Sequence, residues 1–258
     1  MELAFASFKY LENQIFGKGA NQIHSPFVFE FYNEVLQNPY NFYCFEAIEK
    51  ERESLLVQKD ILQYQDLGAN PKTIKRKISN LAASSLMSPE EGQILFRLTR
   101  WLNAKTILEL GSSLGITTSY LAKGSDGMVY SFEGIPEIAS VANKSWNHLN
   151  IKNIEQELGK IELKLPEFLA SKRPRIDLAV VDANHRYSPT LNNFEQLLPH
   201  LHNDSCIVFH DIYWSKEMAR AWDEIRCRPE VRLSIDFYKM GLVFFRKEST
   251  MEHFNIRW

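Results

Sequence analysis

The chain has 258 residues, 45% of them hydrophobic and 12% aromatic, enough for one α/β domain with an appendage or for two small domains. A net charge of -2 and a pI near 6.4 exclude the global basic field of a nucleic-acid binder, leaving only local basic patches. Cys44, Cys206 and Cys227 lack C-x-x-C spacing, so neither a zinc knuckle nor a disulfide framework is indicated, and reduced thiols of a cytoplasmic protein are the expectation. The opening MELAFASFKYLENQ does not read as a signal peptide. No stretch approaches the roughly 18 apolar residues of a membrane span.

Residues 1–80 read as a helical extension. Ser25-Pro26 is a helix start, serine capping and proline at the first helical position. PFVFEFYNEVL then places Phe27, Phe31 and Leu36 near one face, with Val28 and Val35 beside it. A longer amphipathic stretch rich in Glu and Lys runs from Phe45 to Tyr64 and breaks at Gly68-Ala69-Asn70-Pro71. The aromatic residues from Phe27 to Phe45 either pack helices together or line a substrate pocket. Lys72, Lys75, Arg76 and Lys77 form a dense basic run, read either as a solvated surface or as a contact for a phosphate-bearing partner such as RNA.

From residue 81 the pattern changes. Ser88-Pro89-Glu90-Glu91 is a capping box that opens a helix to about Leu102, and the first strand follows at once. The stretch TILELGSSLGITTSYLA, Thr106 to Ala122, runs from a buried strand through a glycine turn into a helix. Gly111 permits the tight turn and Gly115 lets backbone approach a ligand. A second strand, Met128 to Phe132, is closed by Glu133; a helix, Pro136 to Leu149, and a weak strand, Ile154 to Leu158, follow. GKIELKLP (159–166) reads as a turn before a short helix. Ile176 to Val181 is a strand ending at Asp182, Thr190 to Leu201 a helix, and Cys206 to Phe209 a strand ending at His210-Asp211. A helix from Trp214 to Cys227 and a terminal hairpin, Val231 to Arg246, complete the order. The expected fold is α/β: a Rossmann-like, doubly wound, mostly parallel seven-stranded sheet with an antiparallel final strand, over about residues 81–258.

The chemistry should sit at the carboxyl ends of these strands. Glu109, Glu133, Asp182, His210 and Asp211 all lie there. Glu109, two residues before Gly111, would repel a pyrophosphate but accept hydrogen bonds from a cationic amino-acid ligand. Glu133 follows Glu109 by 24 residues (133 − 109), close to the roughly 20 expected of an acid that grips ribose hydroxyls. With no G-x-G-x-x-G present, an NAD oxidoreductase is disfavoured.

ELGSSLG followed by a strand ending in Glu resembles the cofactor site of class I S-adenosylmethionine (SAM) methyltransferases. MSPEEGQILFRL, AKTILELGSSLGITTSYLA, VDANHRY and HDIYW are similar in order and spacing to the catechol O-methyltransferase-like branch, over about residues 84–247. The resemblance implies that Met87 and Ser88 flank the methionine end of SAM and that Glu109, Gly111, Ser113 and Thr117 line it, with Gly115 at the turn. It implies that Glu133 takes the ribose, that Ile161 and Glu162 lie beside adenine, and that Asp182 faces the sulfonium. That branch also holds a divalent cation on two aspartates and an asparagine, and deprotonates the acceptor with a lysine. Asp182 and Asp211 match the aspartates, so Mg²⁺ or Mn²⁺ on these two is an expectation; but Ile212 stands at the asparagine position and His185 at the lysine position. Asn184, His185 and His210 are alternative ligands, and histidine would favour Mn²⁺ or Zn²⁺. Without a metal, His185 becomes the natural general base. For His210 the expectation is a side chain turned into the core.

Two function classes follow. One is an enzyme that moves the SAM methyl group to an oxygen of a small molecule, or, alternatively, to an RNA nucleoside. The other is a SAM- or nucleotide-binding module without turnover. No membrane partner is expected; a homodimer is compatible with the N-terminal helices, which would cap the site or pair two copies.

Overall fold

A computed structural model describes residues 2–67 and 72–258; the break read at Gly68-Ala69-Asn70-Pro71 lies outside them. The chain divides into two compact units, Asn38–Phe168 and Met1–Gln37 with Leu169–Trp258. The large sheet is mostly parallel and has eight strands.

The N-terminal region is less uniformly helical than its composition suggests. Helices α1 (Glu2–Phe16) and α2 (Pro26–Phe31) come first, and α2 runs into one π-helical turn over Tyr32–Leu36. Proline occupies the start of α2 as expected, but the Ser25 hydroxyl makes no capping bond. Helix α3 (Phe45–Val57) stops before Tyr64. Beyond it, β1 (Ile61–Gln65) and β2 (Thr73–Lys77) form an antiparallel ribbon, with Leu62 opposite Arg76 and Tyr64 opposite Ile74. The cause is a change of period. ILQYQ and TIKRK alternate inward and outward, and Leu62, Tyr64 and Ile74 turn towards a cluster containing Phe45, Ile48 and Leu55. The basic run therefore lies along a strand: Lys75 and Lys77 face solvent, while Arg76 donates to Asn80 O (3.0 Å) and Ser84 Oγ (2.6 Å).

Helix α4 (Ile78–Ser85) leads to α5 (Pro89–Trp101), where the capping box is complete: Ser88 N–H donates to Glu91 Oε2 (2.7 Å) and Glu91 N–H to Ser88 Oγ (3.3 Å). Then come β3 (Thr106–Leu110), α6 (Ile116–Gly124), β4 (Met128–Glu133), α7 (Pro136–His148) and β5 (Ile154–Leu158), all close to their expected places. Within this unit β3, β4 and β5 pair in parallel, and Glu109 lies in register with Ser131.

The segment 159–166 is not a turn. Helix α8 spans Ile161–Lys172 with Pro166 inside it. Ile161, Leu165, Phe168 and Leu169 are buried at helical spacing. Four such side chains at about 1.5–3 kcal/mol each outweigh the roughly 3 kcal/mol cost of an interior proline.

In the other unit β6 (Ile176–Val181), α9 (Tyr187–Leu197), β7 (Leu201–His210), α10 (Lys216–Arg226), β8 (Leu233–Asp236) and β9 (Met240–Phe244) follow in order. Strand β9 runs antiparallel to both β7 and β8, as the hairpin reading requires. An eighth strand, β10 (Glu252–Asn255), pairs parallel to β8 and corrects the expected seven. It is four residues long with one buried side chain, Phe254, too short for a periodic signal. Among the described residues no helix is long and apolar enough to cross a membrane.

Candidate functional site

In the unit Asn38–Phe168, the turn after β3 is built around two carboxylates. Glu109 is fully buried, and its Oε2 accepts from Thr118 Oγ1 (2.5 Å) and Ser131 Oγ (3.1 Å). These bonds fasten the end of β3 to β4 on one side and to α6 on the other. Gly111 and Ser113 take positive φ (98° and 47°), and the N–H groups of Gly111 and Ser112 both donate to Phe132 O (3.0 and 3.2 Å). The Ser113 hydroxyl lies 2.8 Å from that of Ser85.

Glu133 closes the turn from β4. Its Oε2 accepts from Ser113 N–H (3.0 Å) and its Oε1 from Ile135 N–H (2.9 Å). Burial pushes this carboxyl above its ordinary range, against backbone N–H groups of Ile135, Ser113 and Gly134 that favour the anion. Each oxygen keeps lone-pair capacity for a ligand's hydroxyl donors, as a ribose grip requires. Met87 is buried, its carbonyl accepting from Arg52 Nη1; Thr117 and Ile161 are buried and Glu162 is exposed.

Gly115 has a more local reason than ligand approach. At φ 81° it leads into α6, and a Cβ there would lie 2.5 Å from Trp146 Nε1 and 2.8 Å from Ala142 Cβ. The Trp146 indole donates to Gly115 O (2.9 Å). The close approach is that of α7 to the turn.

In the other unit, the carboxyl ends of β6 and β7 bring Asp182, His185, His210 and Asp211 together. His210, the last residue of β7, is buried as expected, yet it is not without a polar role: its Nδ1 donates to Asp182 Oδ1 (2.9 Å) and lies 3.8 Å from Asp211 Oδ2. His185 Nε2 lies 3.4 Å from the same Asp182 oxygen, and its ring is 6.4 Å from the exposed Trp214 ring. Lys239, which the sequence reading passed over, places Nζ 3.4 Å from Asp211 Oδ1. Asn184, His185 and Asp211 all take left-handed backbone (φ 64°, 37° and 52°). Asn, Asp and His tolerate that region better than most residues, and such strain gathers at functional sites.

A divalent cation does not fit this donor set. Ile212 is fully buried and offers no oxygen, and Asp182 is engaged by imidazole. Among the described residues no group of three or more His, Cys, Asp and Glu is arranged to hold a metal ion. A cavity of roughly 680 Å³ lined by Leu198, His202, Arg232 and Phe245 lies by the first residues of β7, at the end of the strand opposite His210.

An aromatic group stands behind these strand ends. Tyr213 and Tyr238 stack at 6.0 Å, Tyr10 of α1 meets Tyr238 edge-on at 5.2 Å, and Tyr238 Oη donates to Ala6 O (3.1 Å). The first helix is thus tied to the loop that carries Lys239. Beneath it, buried Asp236 accepts from Tyr213 Oη (2.5 Å), Trp222 Nε1 (3.1 Å) and Tyr238 N–H (2.9 Å).

Residues 108–212 match a family model described as a methyltransferase domain. A catechol O-methyltransferase of Niastella koreensis is 28% identical over 128 residues, which are 48% of this chain and 58% of that relative. The solved O-methyltransferase from Bacillus cereus in complex with S-adenosylhomocysteine (SAH) superposes with a TM-score of 0.59 at 19% identity, over 84% of this chain and 96% of that one. SAH-bound PaMTH1 of Podospora anserina gives 0.64 at 13% identity, over 87% and 97%. The fold is shared with these solved methyltransferases. The chain spans about 58% of the length of the curated catechol O-methyltransferase that it matches.

Proposed function

We propose that the chain is a SAM-dependent methyltransferase acting on an oxygen of a small molecule. One observation carries the reading. Glu133 is a buried carboxylate held by backbone N–H groups beside a glycine turn, inside the segment that matches a methyltransferase domain. SAM, when bound, supplies a methyl group already activated on a sulfonium for in-line displacement by an oxygen nucleophile. Glu133 holds the ribose hydroxyls, and Gly111, Ser113, Gly115 and Thr117, with Glu109 behind them, shape the turn that receives the amino-acid end. Met87 and Ser88 flank that end, and Ile161 and Glu162 border the adenine. Asp182 is the counter-charge for the sulfonium.

His185 is the general base. Its Nε2 faces Asp182, which leaves Nδ1 to take the proton of the acceptor hydroxyl. The exposed Trp214 ring beside it suits a flat acceptor such as a phenol or catechol. Residues 1–80 cap the acceptor side, as the bonds from α1 to Tyr238 suggest, and bear on pairing with a second copy. Two of the three free thiols, Cys44 and Cys206, are buried, which suits a cytoplasmic setting. Titration with SAM alongside a methyl-transfer assay on phenols tests this reading. Binding without transfer to any small molecule or RNA would mark a non-catalytic module, and transfer to RNA alone would reassign the acceptor.

A further inference from the structure

The branch that this sequence resembles bridges its strand-end aspartates with a divalent cation, and the residues here do not accommodate one. We propose that protein donors take the cation's place, the His210 imidazole against Asp182 and the Lys239 ammonium against Asp211, so that the strand-end site works without metal.

The geometry is local to the ends of β6 and β7. His210 Nδ1 lies 2.9 Å from Asp182 Oδ1 and 3.8 Å from Asp211 Oδ2. A cation shared by both carboxylates would need about 2.1 Å to each. The ring N–H instead occupies the Asp182 oxygen that such an ion would use. His210 is 7% exposed and paired with Met240 on the neighbouring β9, so its backbone is held by the sheet. Asp211 is fixed as well: its N–H donates to Lys239 O (2.7 Å) and its Oδ1 faces Lys239 Nζ. The two carboxylates are therefore met by donors from the protein itself, an imidazole N–H and an ammonium. Ile212, fully buried at the third ligand position, completes the change with an apolar side chain. His210 acts here as a positioning residue: it holds Asp182 in the orientation that Asp182 in turn imposes on His185.

This rests on the methyltransferase reading for its consequence in catalysis, but its test reads metal binding directly. Mn²⁺ alone is titrated into the full chain and followed by electron paramagnetic resonance, for wild type and Asp211→Asn. No saturable binding is expected in wild type up to about 1 mM, a weak limit for a site meant to hold an ion. Saturable binding that Asp211→Asn abolishes would overturn the proposal. In the transfer assay, EDTA should leave the rate unchanged. His210→Ala should lower kcat roughly tenfold or more, the consequence of a lost bond to a charged group. His210→Asn, whose amide nitrogen can occupy the Nδ1 position, should recover most of it. A collapse in EDTA reversed by Mn²⁺, or a His210→Ala kcat equal to wild type in a folded protein, would also overturn it. If the chain transfers no methyl group at all, the functional reading fails while the Mn²⁺ titration still decides the metal question.

Discussion

Replacing Glu133 with alanine should damage ligand binding more than folding, and the structure supplies both magnitudes. The carboxylate accepts from Ser113 and Ile135 N–H, and Glu133→Ala leaves both donors without that acceptor. Each such loss costs about 1–3 kcal/mol. Against this, burial already disfavours the anion enough to push its pKa up despite those bonds. Removing a desolvated charge returns part of the cost, and a net stability loss of about 1–3 kcal/mol is expected. For the ligand no such offset exists. A ribose hydroxyl bonded to a carboxylate is worth about 1.5–3 kcal/mol, so SAH affinity should fall roughly 10- to 150-fold. Isothermal titration with SAH, run beside a thermal melt, separates the two effects. The raised pKa also fixes a sign. Glu133 binds its proton more tightly when folded, so its contribution to ligand-free stability is full below the unfolded value of 4.5 and is lost as pH rises through the folded one. SAH affinity should move the other way, rising with pH as the carboxylate ionises. Unchanged SAH affinity in a folded Glu133→Ala protein would refute the ribose assignment.

Gly115→Ala should fail through packing: its Cβ meets Trp146 and Ala142 at a positive φ, so the melting temperature should drop sharply, and a stable variant that had lost only SAH binding would contradict this. His185→Ala should lower turnover by roughly 10²–10⁴-fold with SAM affinity nearly intact; a turnover near wild type would remove His185 as the base. Tyr213→Phe deletes one of three donors to buried Asp236, whose pKa burial already raises, so stability should fall by about 1–2 kcal/mol, which denaturant unfolding can measure.

The strand-and-helix order from Ser88 onward was legible because each element carries its own signal: a capping box, a glycine turn, apolar runs closed by acids. The ribbon over Ile61–Lys77 was not, since a charged, half-exposed strand pair resembles a solvated helix until its period is examined. Helix α8 was obscured by Pro166, whose local cost is visible in sequence while the burial that outweighs it is tertiary. At the site, the residue types at the strand ends could be read directly, but their partners could not. Thr118 and Ser131 bind Glu109 through pairing and helix packing; only Ser131, two residues before Glu133 on the same strand face, had a sequence signal. His210 comes to Asp182 through the β6–β7 pairing and Lys239 to Asp211 through the β7–β9 pairing, each joining residues 28 positions apart.

Methyl transfer from SAM to a small-molecule hydroxyl is read most directly from its products. The purified chain is incubated with SAM carrying a labelled methyl group and a panel of phenols and catechols, with EDTA present, and products are resolved by mass spectrometry. A methyl ether from at least one acceptor is expected, with one SAH formed per methyl transferred and both reduced roughly 10²–10⁴-fold in His185→Ala. SAM that neither binds nor yields a methylated product with any acceptor would contradict it.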